Sequence, residues 1–327
     1  MAILVDVKDL KKHFLVETGS AGLISKRTQI VHAVDGISFS IASGQTFGLV
    51  GETGSGKTTT AKLILRLIEP TSGEVLVDGQ DVLSLGPEEL RNARRNMQMI
   101  FQDPFASLNP RASVGDIVGL PLEVHGIAEG QEKRKIVIDI LRRVGLTPAE
   151  QLINRHPHEF SGGQRQRIGI ARALVLKPKF ILADEPVSAL DMSIRSQILN
   201  LMQDLQVEMK LTYLLIAHDL SVVRHMSDRV AVMYLGRIVE CADTEDFFKS
   251  ARHPYSQSLI AAIPVPDPTV KKERVKLRGE MPSPIHMPRG CRFQTRCPFA
   301  KPECRESEPE LFDIGNNHLV SCYMVKW

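Results

Sequence analysis

The sequence predicts an α/β fold built on a parallel sheet with helices on both faces. Short apolar strands alternate with stretches of helical periodicity from about residue 45 to residue 217, the pattern of strands that return to one sheet through helices. The strand at 45–50 also runs straight into a glycine-rich turn, Gly51-Glu52-Thr53-Gly54-Ser55-Gly56-Lys57-Thr58, which opens a helix. That strand–turn–helix order is the setting a phosphate-binding loop requires.

The elements follow in order. Residues 4–7, 31–34 and 37–41 read as short strands, with β-branched and alternating residues broken by Gly and Ser. After the glycine turn, 59–67 has helical periodicity and stops at Glu69-Pro70. Residues 73–82 read as a small hairpin, and 87–178 as mostly helical, including 133–144 and 164–175. Two apolar strands at 180–183 and 211–217 flank a helix at 193–209. Composition shifts after about residue 250, and more than half of the 19 prolines lie from Pro254 onward. A boundary is placed at 254–268, giving a main domain over 1–253, with a helical part at about 90–175, and a Cys/Pro-rich extension over 254–327. The sequence has no internal repeat and no low-complexity tract.

Bulk properties exclude several classes. The 327 residues carry 41 basic and 38 acidic side chains, a net charge of +3, with no block of like charges. That balance argues against a nucleic-acid partner. No apolar run reaches membrane-spanning length, and the N-terminus lacks the pattern of a signal peptide. The expected compartment is the cytosol, with any membrane role supplied through partners. Four of the five cysteines fall between 291 and 322, which in a reducing compartment suggests a metal or cluster site before disulfides.

Three motifs carry chemistry. The first, Gly51 to Thr58, fits G-x-x-x-x-G-K-[ST]. Its glycines let backbone N–H groups turn inward around phosphate oxygens, and the helix that follows adds positive potential. Lys57 is expected to reach the β- and γ-phosphates, and the Thr58 hydroxyl to sit on Mg²⁺. Thr59 completes the nucleotide-binding set. The second motif is Phe180-Ile181-Leu182-Ala183-Asp184-Glu185. Asp184 ends an apolar strand as a magnesium-side carboxylate, and Glu185 is placed to polarise an attacking water. The third is Ser161-Gly162-Gly163-Gln164 at a helix start, a second anion-binding end. Two such ends of different design make sense if two chains face each other.

In this order and spacing the three motifs resemble the ATP-binding cassette (ABC) family. That resemblance implies a RecA-like P-loop ATPase core, a small antiparallel β subdomain and a helical signature subdomain. Phe160 stands where most of the family has leucine. Gln102, in Phe101-Gln102-Asp103-Pro104, is similar to the family's glutamine loop, which contacts Mg²⁺ or water and abuts a membrane subunit. Asp191, in Ser188-Ala189-Leu190-Asp191, resembles the loop that crosses the dimer interface. His218 resembles the switch histidine at the γ-phosphate. The family stacks adenine on an aromatic residue of an early strand; Phe14 is the candidate, His13 the fallback, with the insertion between Leu15 and Ile30 blurring the register. The resemblance implies two ATPs shared between two subunits, with hydrolysis dependent on dimerisation.

The tail narrows the resemblance. His253-Pro254-Tyr255, an apolar helix at 256–263, and Gly279-Glu280-Met281-Pro282-Ser283-Pro284 resemble ATPases of oligopeptide and dipeptide importers, a group that includes some nickel importers. Implied partners are two permease subunits, a sister ABC ATPase and, indirectly, an extracellular solute-binding protein, with the chain peripheral on the cytoplasmic face. Single-cassette length without membrane helices or a heptad run argues against an exporter or a DNA-repair factor. Cys291, Cys297, Cys304 and Cys322 have the spacing C-x₅-C-x₆-C-x₁₇-C. Four thiolates can hold Zn²⁺ or a [4Fe–4S] cluster. Zinc favours tighter pairs, the wider loops suit a cluster, and tails of this kind resemble iron–sulfur binders; zinc and unligated thiols remain alternatives. Cys241 stands apart as a packed thiol.

Overall fold

The structure is a computed structural model that describes residues 2–18, 27–264 and 279–325. Residues 19–26 of the insertion after Leu15, and the 265–268 part of the expected domain boundary, lie outside the described residues. The chain divides into two compact units, one of residues 1–4, 41–46 and 84–216, the other of 5–40, 47–83 and 217–327.

The first unit holds three parallel strands, Met97–Ile100, Phe180–Asp184 and Thr212–Ala217, with Ile100 beside Ala183 and Asp184 beside Ile216. Every residue of the latter two strands is buried, as both-face coverage demands. The four-residue strand Met97–Ile100 falls inside the stretch expected to be mostly helical. Its sequence, Met-Gln-Met-Ile, has one β-branched residue and no extended alternation, so only its pairing with Phe180–Asp184 defines it. The helices Val114–Val124, Gly130–Arg143 and Gly162–Leu174 pack on one another. Ser113 starts the first of these, its Oγ accepting the Asp116 N–H at 3.1 Å. The helix Met192–Met209 ends at Lys210, whose φ of 54° breaks it.

The second unit holds two sheets. One has the strand order Arg27–Ala42, Ile3–Thr18, Ser72–Val77, Gln80–Asp81. Its first two strands are 16 residues long, where short separate strands were expected. In Ile3–Thr18 the reason is a bulge. The register shifts between Lys8 and Lys11, with Asp9 at φ 44°, so the apolar alternation breaks while the ladder continues. The other sheet pairs Thr46–Val50 in parallel with Arg229–Tyr234, which turns back antiparallel into Arg237–Asp243. Two short tail strands, Leu319–Val320 and Phe312–Asp313, extend its edge, with Cys241 opposite Leu319.

Buried polar groups stitch the tail in place. The carboxylate of Glu240, fully buried, accepts the Arg252 and His253 N–H groups at 2.6 and 3.0 Å and lies 2.7 Å from His318 Nε2. Tyr234, Tyr255 and Phe293 form a buried aromatic cluster with centroid separations of 4.8 to 5.4 Å. The helix Pro254–Ala261 opens on His253, whose Nδ1 accepts the Tyr255 N–H at 3.1 Å. Among the described residues no helix is long and apolar enough to cross a membrane.

Candidate nucleotide-binding site

The glycine turn of the second unit has the geometry of a cradle. Gly51, Gly54 and Gly56 have φ of 153°, 85° and 110°, and Gly54 and Gly56 fall in the left-handed region that favours glycine. A Cβ on Gly56 would sit 2.2 Å from the Ala33 carbonyl oxygen, and one on Gly51 2.2 Å from that of Met233. Larger residues are therefore excluded by backbone, not by movable side chains. The helix Lys57–Ile64 follows with no acid in its first turn, so its N-terminal potential is not cancelled. The buried Lys57 donates from Nζ to the Gly51 and Glu52 carbonyls at 2.8 and 2.9 Å. Thr53, Gly54 and Thr58 are exposed, and Thr59 is half-buried. Ser55 anchors the turn, its carbonyl accepting the Gly236 N–H at 2.8 Å.

Two further expected residues belong to this unit. His218 follows the buried strand Thr212–Ala217 and is exposed. Phe14 lies on the strand Ile3–Thr18 with 36% of its surface exposed, and Lys12 Nζ sits 4.9 Å from its ring centroid. His13 is engaged elsewhere. Its Nε2 is 2.8 Å from Asp35 Oδ1 and 3.1 Å from His32 Nδ1. Burial alone would raise the Asp35 pKa, but hydrogen bonds from Arg292 and His13 hold it well below the usual carboxylate range.

The first unit carries the acids. Asp184 is buried at the end of its strand. Glu185 has a left-handed φ of 46°, a conformation that costs about 1–2 kcal/mol in a non-glycine residue. Its N–H donates to the Ile216 carbonyl at 2.9 Å, and its own carbonyl accepts the Ser188 N–H and hydroxyl at 3.2 and 3.1 Å. These bonds hold the turn. The side chain then meets Gln102, whose Nε2 donates to Glu185 Oε2 at 2.9 Å. Arg195 braces the following loop, donating to the Leu190 and Ser188 carbonyls at 2.7 and 3.2 Å. Asp191 stands at the N-cap of Met192–Met209 without a side-chain capping bond.

In the same unit Ser161 caps the 13-residue helix Gly162–Leu174 through a reciprocal box. Its Oγ accepts the Gln164 N–H at 3.4 Å, and its N–H donates to Gln164 Oε1 at 3.0 Å. No acid occupies the first turn. A Cβ on Gly163 would come within 2.6 Å of Ile194 Cγ2, so this helix end is shaped around glycine. Gln102, Asp184, Glu185, Ser161–Gln164 and Asp191 therefore belong to the first unit, and the 51–59 turn, Phe14 and His218 to the second.

The four tail cysteines are free thiols. Cys291 N–H donates to the Cys304 carbonyl at 2.8 Å. Burial pushes the Cys291 thiol up to about 12, with the other three cysteines adding to the rise. Burial likewise raises Cys297 and Cys322. Among the described residues, His13, His32 and Asp35 form a group of ligand atoms within 4.8 Å of one another, whereas no three of the cysteine sulfurs come so close. Sulfurs around one tetrahedral zinc lie about 3.8 Å apart, given bonds of about 2.3 Å.

Fold and motifs define a nucleotide-binding ATPase of the cassette type, and comparison with known proteins agrees. Residues 34–188 match the family model described as ABC transporter, and residues 239–304 the one described as oligopeptide/dipeptide transporter, C-terminal region. The chain is 50% identical over 324 residues to the oligopeptide transport ATP-binding protein AppF of Bacillus subtilis (strain 168), covering 98% of this chain and 97% of that one. It is 48% identical over 321 residues to the probable peptide ABC transporter ATP-binding protein y4tS of Sinorhizobium fredii, covering 98% and 90%. Among solved structures, the dimeric ATP-binding cassette MJ0796 bound to ADP and Pi superposes with a TM-score of 0.64 at 31% identity, covering 74% of this chain and 99% of that one. The chain belongs to the ABC transporter family, in its oligopeptide/dipeptide branch of ATP-binding proteins.

Sequence reasoning missed Tyr255 and Arg296, which both touch the glycine turn. Tyr255 could have been suspected from its place in the His253-Pro254-Tyr255 run; nothing in the sequence around Arg296 marks it. The Arg195 brace was also missed, since a helical arginine carries no local signal.

Proposed function

We propose that this chain is the ATP-hydrolysing subunit of an importer of di- or oligopeptides. The likeness to peptide-transport ATP-binding proteins along nearly the whole length carries this reading, and the tail match supports the cargo class. A nickel cargo draws no support from these relatives. Partner subunits that cross the membrane are implied; we assign two permeases, an external solute-binding protein acting indirectly, and a sister ABC ATPase in preference to a homodimer. The chain then works at the cytoplasmic face. Residues 1–253 are proposed as the ATPase domain and 254–327 as the peptide-transporter extension.

In the proposed mechanism, Gly51 to Thr59 wrap the phosphates and Lys57 reaches the β- and γ-phosphates. Thr58, Gln102 and Asp184 would hold Mg²⁺, which would neutralise charge on the phosphates. Phe14 stacks on adenine. Glu185 takes a proton from the attacking water, and His218 contacts the γ-phosphate. Ser161 to Gln164 of one subunit close over the nucleotide of the other, with Asp191 at the crossing loop. Closure completes the charge cage, and hydrolysis reopens it. The Gln102–Glu185 contact supports this reading because the carboxylate is already oriented before substrate arrives.

Cys291, Cys297, Cys304 and Cys322 are proposed to hold a [4Fe–4S] cluster in preference to zinc, on the wide sequence spacing C-x₅-C-x₆-C-x₁₇-C. Such a cluster would lend a short tail the core it cannot build alone.

The test is reconstitution of the complex in vesicles. Peptide uptake should depend on ATP and vanish with Glu185→Gln. Unchanged ATP turnover in that variant would overturn the mechanism, and turnover indifferent to peptide-loaded binding protein would overturn the cargo class.

A further inference from the structure

We propose that Tyr255 and Arg296 are positioning residues for the phosphate loop, so that the C-terminal extension forms one wall of the nucleotide site. The inference rests on reading residues 51–58 as that loop.

Both residues converge on Glu52, the second residue of the turn. The hydroxyl oxygen of Tyr255, a fully buried side chain, accepts the Glu52 N–H at 2.8 Å. Arg296 Nη1 lies 3.1 Å from both carboxylate oxygens of Glu52, and the Arg296 side chain is only 7% exposed. The Arg296 end of the pair is buried and the Glu52 end is 30% exposed, and a charge-assisted contact to both oxygens fixes the carboxylate's orientation. Both anchors pack against aromatic rings, although the buried Arg296 Nε has no hydrogen-bond partner among the described residues. Tyr255 is packed against Tyr234 and Phe293, and the Arg296 guanidinium lies 5.9 Å from the Tyr234 ring centroid. A third tail residue reaches the turn, since a Cβ on Gly54 would be 3.4 Å from Met281 Cε.

Glu52 is a sensitive place to hold. Its carbonyl accepts from Lys57 Nζ at 2.9 Å and from the Ser55 N–H at 3.2 Å. Moving Glu52 would therefore move the carbonyl that aims Lys57, and with it the ammonium meant for the phosphates. A turn fixed before nucleotide arrives loses less conformational freedom on binding, and so binds more tightly. Without these anchors the glycines of the turn would leave it broadly free. The main-chain cradle thus has its rigidity supplied by residues 203 and 244 positions downstream.

The experiment uses the full-length chain in the complete transporter, titrated with a fluorescent non-hydrolysable ATP analogue, together with KM and kcat for ATP. Tyr255→Phe removes one oxygen and keeps the ring packing. Arg296→Gln removes the charge, and Arg296→Lys restores it in part. Tyr255→Phe and Arg296→Gln should each weaken analogue binding about five- to tenfold, raising KM more than they lower kcat, with Arg296→Lys intermediate. Adding Glu52→Gln to Arg296→Gln should cost little more than either alone, because the two groups form one contact. Affinity within twofold of the parent in both single variants overturns the proposal. So does a loss that disappears once binding is normalised to the folded fraction. Lys57→Ala separates the two readings. If it abolishes binding while Tyr255→Phe does nothing, only the positioning role fails; if it too leaves binding intact, the assignment of the loop itself fails.

Discussion

Gln102 donates a hydrogen bond from Nε2 to Oε2 of Glu185 at 2.9 Å, joining two residues 83 positions apart in sequence. The contact aims the carboxylate that follows Asp184, on a backbone already held left-handed. Glu185→Gln should lower ATP turnover of the assembled transporter by about a hundredfold or more while leaving ATP bound. Gln102→Ala should lower turnover less, by about tenfold, because it frees the carboxylate without removing it. Single-turnover hydrolysis and equilibrium binding on the same preparations distinguish these effects.

The Ser161 box predicts a separation of stability from catalysis. Ser161→Ala should cost about 1 kcal/mol of stability in chemical denaturation, the usual worth of an N-cap. It should lower ATP turnover far more than that loss explains, since the same turn is proposed to close over a second subunit's nucleotide. Gly163→Ala should destabilise by about 1–3 kcal/mol, because Ile194 Cγ2 lies 2.6 Å from the added methyl position and a β-branched side chain on a helix has little freedom to move.

A pH dependence follows from His253. Burial lowers its pKa to about 4, with Glu240 opposing, and its Nδ1 must stay unprotonated to accept the Tyr255 N–H. The unfolded chain would bind this proton near pH 6.5, the folded chain only near 4, so between those values the unfolded state holds more protons. Stability from this group is complete above about pH 6.5 and is lost as pH falls towards 4. Denaturation midpoints measured across pH 4 to 7 should show the slope, and His253→Gln should flatten it. The depressed Asp35 carboxyl acts elsewhere, since its contribution fades only below its ordinary pKa of 3.8.

Metal content decides the tail. Anaerobically purified protein should be brown, absorb near the blue edge of the visible range, and contain iron with acid-labile sulfide. Cys322→Ser should remove the colour. Stoichiometric zinc with no iron would assign the thiols to zinc instead.

Much of the site was legible because its chemistry is local. The turn 51–58 needs glycines at fixed offsets, and Ser161 and Gln164 form a cap within one helical turn, so sequence spacing alone displays both. Asp184 was legible for a different reason, as the acid that ends a wholly apolar run. The bulged strand Ile3–Thr18 and the four-residue strand Met97–Ile100 were not, because each is defined by a partner distant in sequence and neither has a clean period. Expecting helix through 87–178 hid the second entirely. Tyr255 and Arg296 were invisible as site residues for the same reason, since both meet Glu52 through tertiary contacts that leave no local pattern.

The aromatic cluster of Tyr234, Tyr255 and Phe293 has a practical consequence for anyone who would trim or graft this protein. A composition boundary at 253 invites a cut there, and the shortened chain would keep every residue of the three ATPase motifs. It would also expose the face of Tyr234, strip the sheet edge of Leu319–Val320, and leave Glu240 without His318. The engine and its appendix were not assembled as interchangeable parts. Chimeras that exchange tails between transporters of this branch should be built with the hairpin Arg229–Asp243 and the 51–58 turn travelling together with the tail they grip.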